Sequence, residues 1–415
     1  MGAAMNFRKS ILGALLICLL TASLSFLFIA SAHSAGLQAQ VDPNLTTHEW
    51  GTFTSIAGND GHAVEWVPLS GTWPAQTAAA SVNDLPAFIE HFGYLGFKAG
   101  LRGTVRMETP VIYFYSPRNV DVSVHVSLAK GLITEWYPHA SRVTPTGNPP
   151  SSSLAKNNID GAITWDLVHV EPGLAPSFAR ESTDSHYYAA RETSGSPVRV
   201  ETPKGDQREK FLFYRGASAF SVPVSAKVMA SGNVLVSNLG KEEIPGLVLF
   251  ERRGERIGYR ISSGLQDHVE LDPPELNANI NSLYGDLEQM LVARGLYWDE
   301  AHAMVQTWRS SWFEQGSRLF YLVPASFVDT VLPLTVSPAP AKTVRVFVGR
   351  MELVTAATQQ EVKAALASQD EPTLNKYSRF LEPILNIIEE KNPPKAKQLT
   401  KLTSATCNAE VAQKH

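Results

Sequence analysis

Between residues 104 and 271, apolar and polar positions alternate in short runs. In the clearest run, Val120, Val122, Val124 and Val126 face one way while Asp121, Ser123, His125 and Ser127 face the other, the period of a half-buried antiparallel strand. Residues 110–115 precede it across Ser116-Pro-Arg-Asn119, whose Pro and Asn suit a turn, so the two runs predict a hairpin. Further strands are predicted at 132–137, 163–170, 210–214, 222–228, 234–238, 246–252 and 256–262. Upstream, 49–56 and 63–67 flank Gly58-Asn-Asp-Gly61, a tight-turn signal that predicts an opening hairpin. Two polar stretches interrupt the pattern: 144–153, rich in Pro, Ser and Thr, and 180–208, a long connection containing His186-Tyr-Tyr188.

After Pro273-Pro274 the period lengthens from two to about 3.6. Leu283, Leu287, Met290 and Leu291 make one stripe, Gly295 ends that helix, and Asp299 is placed to cap a second helix carrying Ala301, Met304, Val305, Trp308 and Trp312. So short a link predicts an αα-hairpin. Strands return at 318–323 and 343–354, and helices at 358–368 and 371–391. The expected fold class is α+β. An antiparallel, sandwich-like β-rich domain over 36–272 is followed by an α/β part over 273–391 packed on it and a frayed tail over 392–415.

The N-terminal segment adds a destination. Arg8 and Lys9 precede an apolar run over 11–30 that closes on Ala30-Ser-Ala32. A positive start, an apolar middle and an A-x-A ending mark a secretory signal over 1–35, cut after Ala32 or, as second choice, after Ala35. The run is also long enough to span a bilayer uncut, but its small-residue ending lacks the basic cluster of a stop-transfer flank. The expected location is periplasmic or extracellular, and the only membrane contact expected is through this segment if it is retained. Cleavage removes Cys18 and leaves Cys407 as the only thiol, so no internal disulfide can form and stability must come from the core. It also leaves 34 basic residues against 40 acidic, a net charge near −6. Lys and Arg are scattered among Glu and Asp, which argues against a nucleic-acid partner.

No G-x-S-x-G, H-E-x-x-H, C-x-x-C, Walker loop, G-x-G-x-x-G or EF-hand loop occurs, which sets aside the common serine hydrolases, zincins, nucleotide binders and thiol redox proteins. Four concentrations of polar and aromatic residues remain. His48 and Glu49 lie opposite His62 and Glu65 across the predicted opening turn, where imidazoles and carboxylates could serve an acid–base pair or a zinc ion. Two imidazoles fall short of a zinc ligand set, and an ordinary cross-strand pair above Trp50 and Trp66 uses the same residues, so neither a metal nor another cofactor is expected. Arg106 and Glu108, with Arg102 nearby, share a strand face on which they would hold a carboxylate or each other. Arg215 ends a face shared with Glu209, Phe211 and Phe213, and marks either a binding edge or a route to solvent. Trp308 and Trp312, one turn apart, either stack on a sugar ring or fill the core with Met304 and Val305. Asp329, Arg345, Arg350 and Glu352 are further charged positions near the later strands. The catalytic candidates are thus His48, Glu49 and Glu108, the binding candidates Arg106, Arg215 and Trp312, and the metal candidates His48 and His62.

The segments His48-Glu-Trp-Gly-Thr-Phe-Thr54 and Met107-Glu-Thr-Pro-Val-Ile-Tyr-Phe114, with the stretch 308–324, resemble an uncharacterised group of exported bacterial proteins. The resemblance spans most of the mature chain and implies export and a shared fold. It brings no activity, cofactor or catalytic residue. Two functional expectations stand. One is a non-catalytic cell-envelope or extracellular protein that binds a glycan or another protein through loops and exposed aromatics. The other is a hydrolase built from His48, Glu49, His62 and Glu108, which requires those four side chains to converge in one pocket. N-terminal sequencing of the exported protein is expected to return a start at His33 or Gly36. An intact Met1 chain in the membrane fraction would replace the cleaved signal by an anchor.

Overall fold

The first strand, β1 (Val41–Ile56), is buried on both faces from Thr47 onward, so both of its edges must find partners inside the molecule. The computed structural model describes residues 40–69, 85–93 and 100–391; the expected signal, both cysteines and the expected tail lie outside the described residues. On one side β1 runs parallel to β18 (Ala339–Leu353), and on the other antiparallel to β3 (Val105–Tyr115). These three strands form the middle of a nine-stranded sheet. Its order is β14 (Arg256–Leu265), β13 (Ile244–Arg253), β16 (Gly316–Leu322), β18, β1, β3, β10 (Leu212–Ser218), β5 (Gly131–Tyr137) and β2 (Glu90–His91). Every neighbouring pair except β1–β18 is antiparallel.

One face of this sheet presents Phe53, Met107, Phe114, Leu319, Phe347 and Met351 to two smaller sheets. The larger is ordered β17 (Leu334–Ser337), β4 (Val120–Leu128), β7 (Gly161–Val170), β8 (Val198–Val200) and β9 (Gln207–Glu209), with β6 (Arg142–Thr144) beside β7. The smaller is β11 (Val224–Val228), β12 (Val234–Asn238) and β15 (His268–Leu271). Strand β4 buries its valines and leaves Asp121 and His125 exposed, as the alternation predicts. Short helices α1 (Leu154–Asn157) and α4 (Ala325–Val331) lie in connections. The opposite face presents Trp50, Val111, Val248, Phe250, Phe320 and Val348 to the αα-hairpin α2 (Ile280–Ala293) and α3 (Trp298–Trp312). At one end of the same face Ile56 and Val354 pack under α5 (Ala356–Ser368), α6 (Glu371–Asn375) and α7 (Leu381–Lys391). The chain is α+β in three layers, strands on strands on helices.

Several local expectations are corrected. The run 110–115 does not pair with 120–127: both edges of β3 are taken by β1 and β10, and Ser116-Pro-Arg-Asn119 carries the chain over to the second sheet, where β4 pairs with β7 and β17. The opening hairpin stops after a single bridge, Ala57 to Ala63, because the edges of β1 are already occupied. The turn itself forms, with the Gly58 N–H donating to the His62 carbonyl at 2.8 Å and Gly61 at φ +92°. Strands β16 and β18, from the part after residue 272, insert between β13 and β1, so both parts contribute strands to the large sheet. The expected helix 371–391 is broken by a 3-10 turn, Ser378–Phe380, because Pro383 is tolerated only in the first turn of a new helix. The connection 180–208 is partly core: Tyr187 and Tyr188 are buried in a 3-10 turn, His186–Arg191, that packs beneath α3.

Trp308 and Trp312 belong to this core, 4 % and 0 % exposed. Trp312→Ala is therefore expected to cost about 3–5 kcal/mol of stability, read as a lowered thermal midpoint. An unchanged melt would show that the indole carries no packing.

Candidate functional site

The four residues of the hydrolase expectation do not converge. His48 and Glu49, adjacent on β1, necessarily point to opposite faces. His48 Nδ1 lies 2.7 Å from Glu300 Oε2, an atom that also accepts the Tyr297 N–H at 2.8 Å, while Glu300 Oε1 accepts from the Tyr115 hydroxyl at 2.9 Å. Glu300 thus closes the first turn of α3 and ties it to β1; the cap is Tyr297 rather than Asp299. Burial, followed by the Glu300 carboxylate, pushes the Tyr115 phenol far above its ordinary range, so it stays a neutral donor. On the other face Glu49 accepts from the Tyr214 hydroxyl and from Arg345 Nε and Nη2 at 2.7 and 2.6 Å. His62 is exposed beyond the turn. The eight residue steps from His48 to Ile56 alone span about 26 Å of strand. Among the described residues no three His, Cys, Asp or Glu side chains gather as a metal-binding group.

Glu108 lies elsewhere on the helix-covered face. A bulge sets Glu108 opposite Thr52 and Val111 opposite Trp50, so one extra residue of β3 faces Gly51, and Thr109 takes φ +44°. On β18 the apolar series Val344, Val346, Val348 gives way on the same face to Arg350 and Glu352. Register then sets Arg350 and Arg106 on either side of Thr54, and Arg318 beside Glu352. Arg318 Nε and Arg350 Nε both donate to Glu352 Oε1, at 2.9 and 2.8 Å, and Arg350 Nη2 donates to Glu314 Oε1 at 2.6 Å. Arg379, from the 3-10 turn above, stands 3.6 Å from both Glu108 and Glu314, and Arg106 stands 3.7 Å from Glu108. Burial opposes ionisation of Glu108, but Arg379, Arg106 and Arg350 outweigh it and hold the carboxyl at about 2. A carboxylate of that acidity stays ionised near neutrality, and its pairing with Arg379 ties the sheet to the C-terminal helices. Arg215 is likewise spent, on a buried bidentate pair with Glu135 at 2.9 and 3.0 Å.

One open region is a cleft of about 490 Å³ at the other end of the sheet, where β3 ends and the chain crosses between layers. Tyr115, Asn44, Thr46, Ser116, Ser194 and Ser196 supply its polar wall, Pro117, Pro172 and Leu174 its apolar wall, and Lys210 its single charge. Among the described residues lining it there is no Asp, Glu or His. The first turn of α3 abuts it: Tyr297 packs edge-on against Tyr115 with centroids 4.9 Å apart, and Asp299 Oδ2 accepts from the Ser194 N–H at 2.6 Å. Between those two residues Trp298 is 59 % exposed, the most exposed large apolar side chain among the described residues. Neither Trp298 nor Lys210 was among the sequence candidates. Trp298 shares the helical phase of Trp308 and Trp312, and only its place at the start of the helix separates a surface indole from two core ones.

No family model and no curated protein matches the chain.

The depressed Glu108 carboxyl makes stability depend on acid. A group ionising at about 2 in the fold, against an ordinary 4.5, stabilises fully above 4.5 and loses that contribution as pH falls toward 2. Urea melts of Glu108→Gln are expected to show lower stability at pH 6 and a flatter acid limb than wild type. An identical limb in both proteins would assign the acid sensitivity to other carboxyls.

Proposed function

We propose that this chain is an exported, non-catalytic glycan-binding protein whose ligand lies in the cleft beside Trp298. The observation that carries this reading is an exposed indole on the helix turn that abuts a cleft walled by hydroxyl and amide groups. Trp298 and the half-exposed Tyr297 offer flat apolar faces, which stack on the C–H face of a sugar ring. Tyr115, Asn44, Thr46 and the three serines offer donors and acceptors spaced around the cleft to meet ring hydroxyls. The cleft's make-up also favours binding over hydrolysis. Glycoside hydrolysis ordinarily uses two carboxyl groups flanking the bond, and the described lining holds none. Export rests on the Arg8-Lys9 start, the apolar run and the Ala30-Ser-Ala32 ending, and on the resemblance of its His48 and Met107 segments to an exported bacterial group.

A glycan microarray probed with the full chain is expected to retain at least one polysaccharide class. Trp298→Ala should lose that binding at least tenfold, while its thermal midpoint stays within a degree or two of wild type, because the side chain is mostly in solvent. An array on which nothing binds, or a Trp298→Ala protein that binds as well as wild type, would overturn the proposal.

A further inference from the structure

We infer that the cleft selects an acidic sugar, one carrying a single negative charge as a carboxylate or sulfate ester, and that Lys210 is the residue that reads the charge. The inference rests on the glycan-binding reading and adds to it the class of ligand. Lys210 follows Glu209, the last residue of β9, and precedes β10, so its backbone is held between two paired strands. Its Nζ donates to the Gly195 carbonyl at 3.0 Å, which fixes the ammonium at the cleft wall and leaves further N–H bonds for a ligand. It is the only charged residue in the described lining; the carboxylates that act on it, those of Glu209, Asp299 and Glu192, lie outside that lining.

The nearby acids are engaged elsewhere. Glu209 accepts from Arg191 at 2.6 Å and from the Tyr187 hydroxyl at 3.0 Å, and Asp299 accepts from the Ser194 backbone. Burial pulls the Lys210 amine below its ordinary range, against the opposing pull of Glu209, Asp299 and Glu192. A partly desolvated ammonium of this kind gains from an incoming anion what a fully hydrated surface lysine does not. One cation and no carboxylate suit a singly charged group, which a uronic acid or a sulfate ester supplies. A phosphate monoester, with close to two charges at neutral pH, would be left half neutralised.

The test uses the full chain and three probes: a uronic-acid trisaccharide, the same trisaccharide as its neutral methyl ester, and a sulfate-ester disaccharide. Calorimetry is expected to show the free acid or the sulfate ester binding at least tenfold more tightly than the methyl ester, and the difference should shrink as salt rises. Lys210→Ala should weaken binding of the acid at least tenfold and that of the neutral ester by clearly less, so that the preference is lost, and Lys210→Arg should retain most of it. Preference for the acid over the sulfate, or the reverse, identifies which anion is read. Equal binding of acid and ester by wild type would overturn the charge reading while leaving glycan binding intact. So would an equal loss of both in Lys210→Ala, or binding of other, neutral glycans alone. Failure of every glycan, with Trp298→Ala indistinguishable from wild type, would overturn the broader reading as well.

Discussion

The parallel pairing of β1 with β18 is the constraint on which the rest of the architecture depends. Parallel neighbours cannot be joined by a tight turn, and here nearly all of the described chain lies between them. The pairing puts the first described strand at the centre of the large sheet and gives it neighbours on both edges. It also explains why 63–67 has no strand to join, and why strands from before and after residue 272 share the large sheet. Contacts between chain ends this distant form only after the loop between them has been closed, so the central sheet is expected to be completed late in folding.

A central strand buried on both faces needs no polar side chains, yet β1 carries His48, Glu49, Thr52 and Thr54. Each charged or imidazole group is met by a residue from far along the chain: His48 by Glu300, Glu49 by Arg345 and Tyr214. Buried pairs of this kind add little net stability over apolar packing, because desolvation offsets most of the attraction, but breaking one strands a charge at a cost of about 3–5 kcal/mol. Their value here is in register. Sliding β18 by two residues along β1 would keep Val344, Val346 and Val348 on the helix side, so apolar alternation alone does not choose among even registers. The same slide would carry Arg350 away from Glu314 and Arg106's row, and Arg345 away from Glu49. The charged rows therefore select one register from several that the core would accept.

The strands of the outer layer were legible because each has one wet face, and the resulting alternation survives in the sequence, as in Val120–Leu128. The helices at Ile280–Ala293 and Trp298–Trp312 were legible for the parallel reason. Partner choice was not. The runs 110–115 and 120–127 read as a hairpin because turn chemistry is local, whereas the competing partners β1 and β10 come from distant sequence. The ion pair of Arg106 with Glu108 was visible as spacing, but Arg350, Glu352, Arg318 and Arg379 joined it only through topology. The cleft left the faintest trace. Its wall is built of Ser, Thr, Asn and Pro residues from separate connections, and each of those residues is an ordinary loop residue in isolation.

The same topology explains why the cleft lies where it does and why it can hold a shape. At the end of β3 the chain leaves the nine-stranded sheet for β4 in the next layer, and β1 begins there with residues that are still exposed. Three layers that share few strands leave a gap at such a crossing, and connections fill it. A gap walled by connections would ordinarily be soft. Here Tyr115 stands on the last position of a buried strand, its hydroxyl is held by Glu300, and Glu300 is held in turn by His48 and by the first turn of α3. Of the groups that looked catalytic in sequence, His48 thus stiffens the wall behind the cleft through Glu300, and the first turn of α3, which carries Tyr297 and Trp298, is tied down by the same carboxylate. A rigid wall loses little entropy when a ligand docks, which is the property the proposed glycan-binding cleft requires.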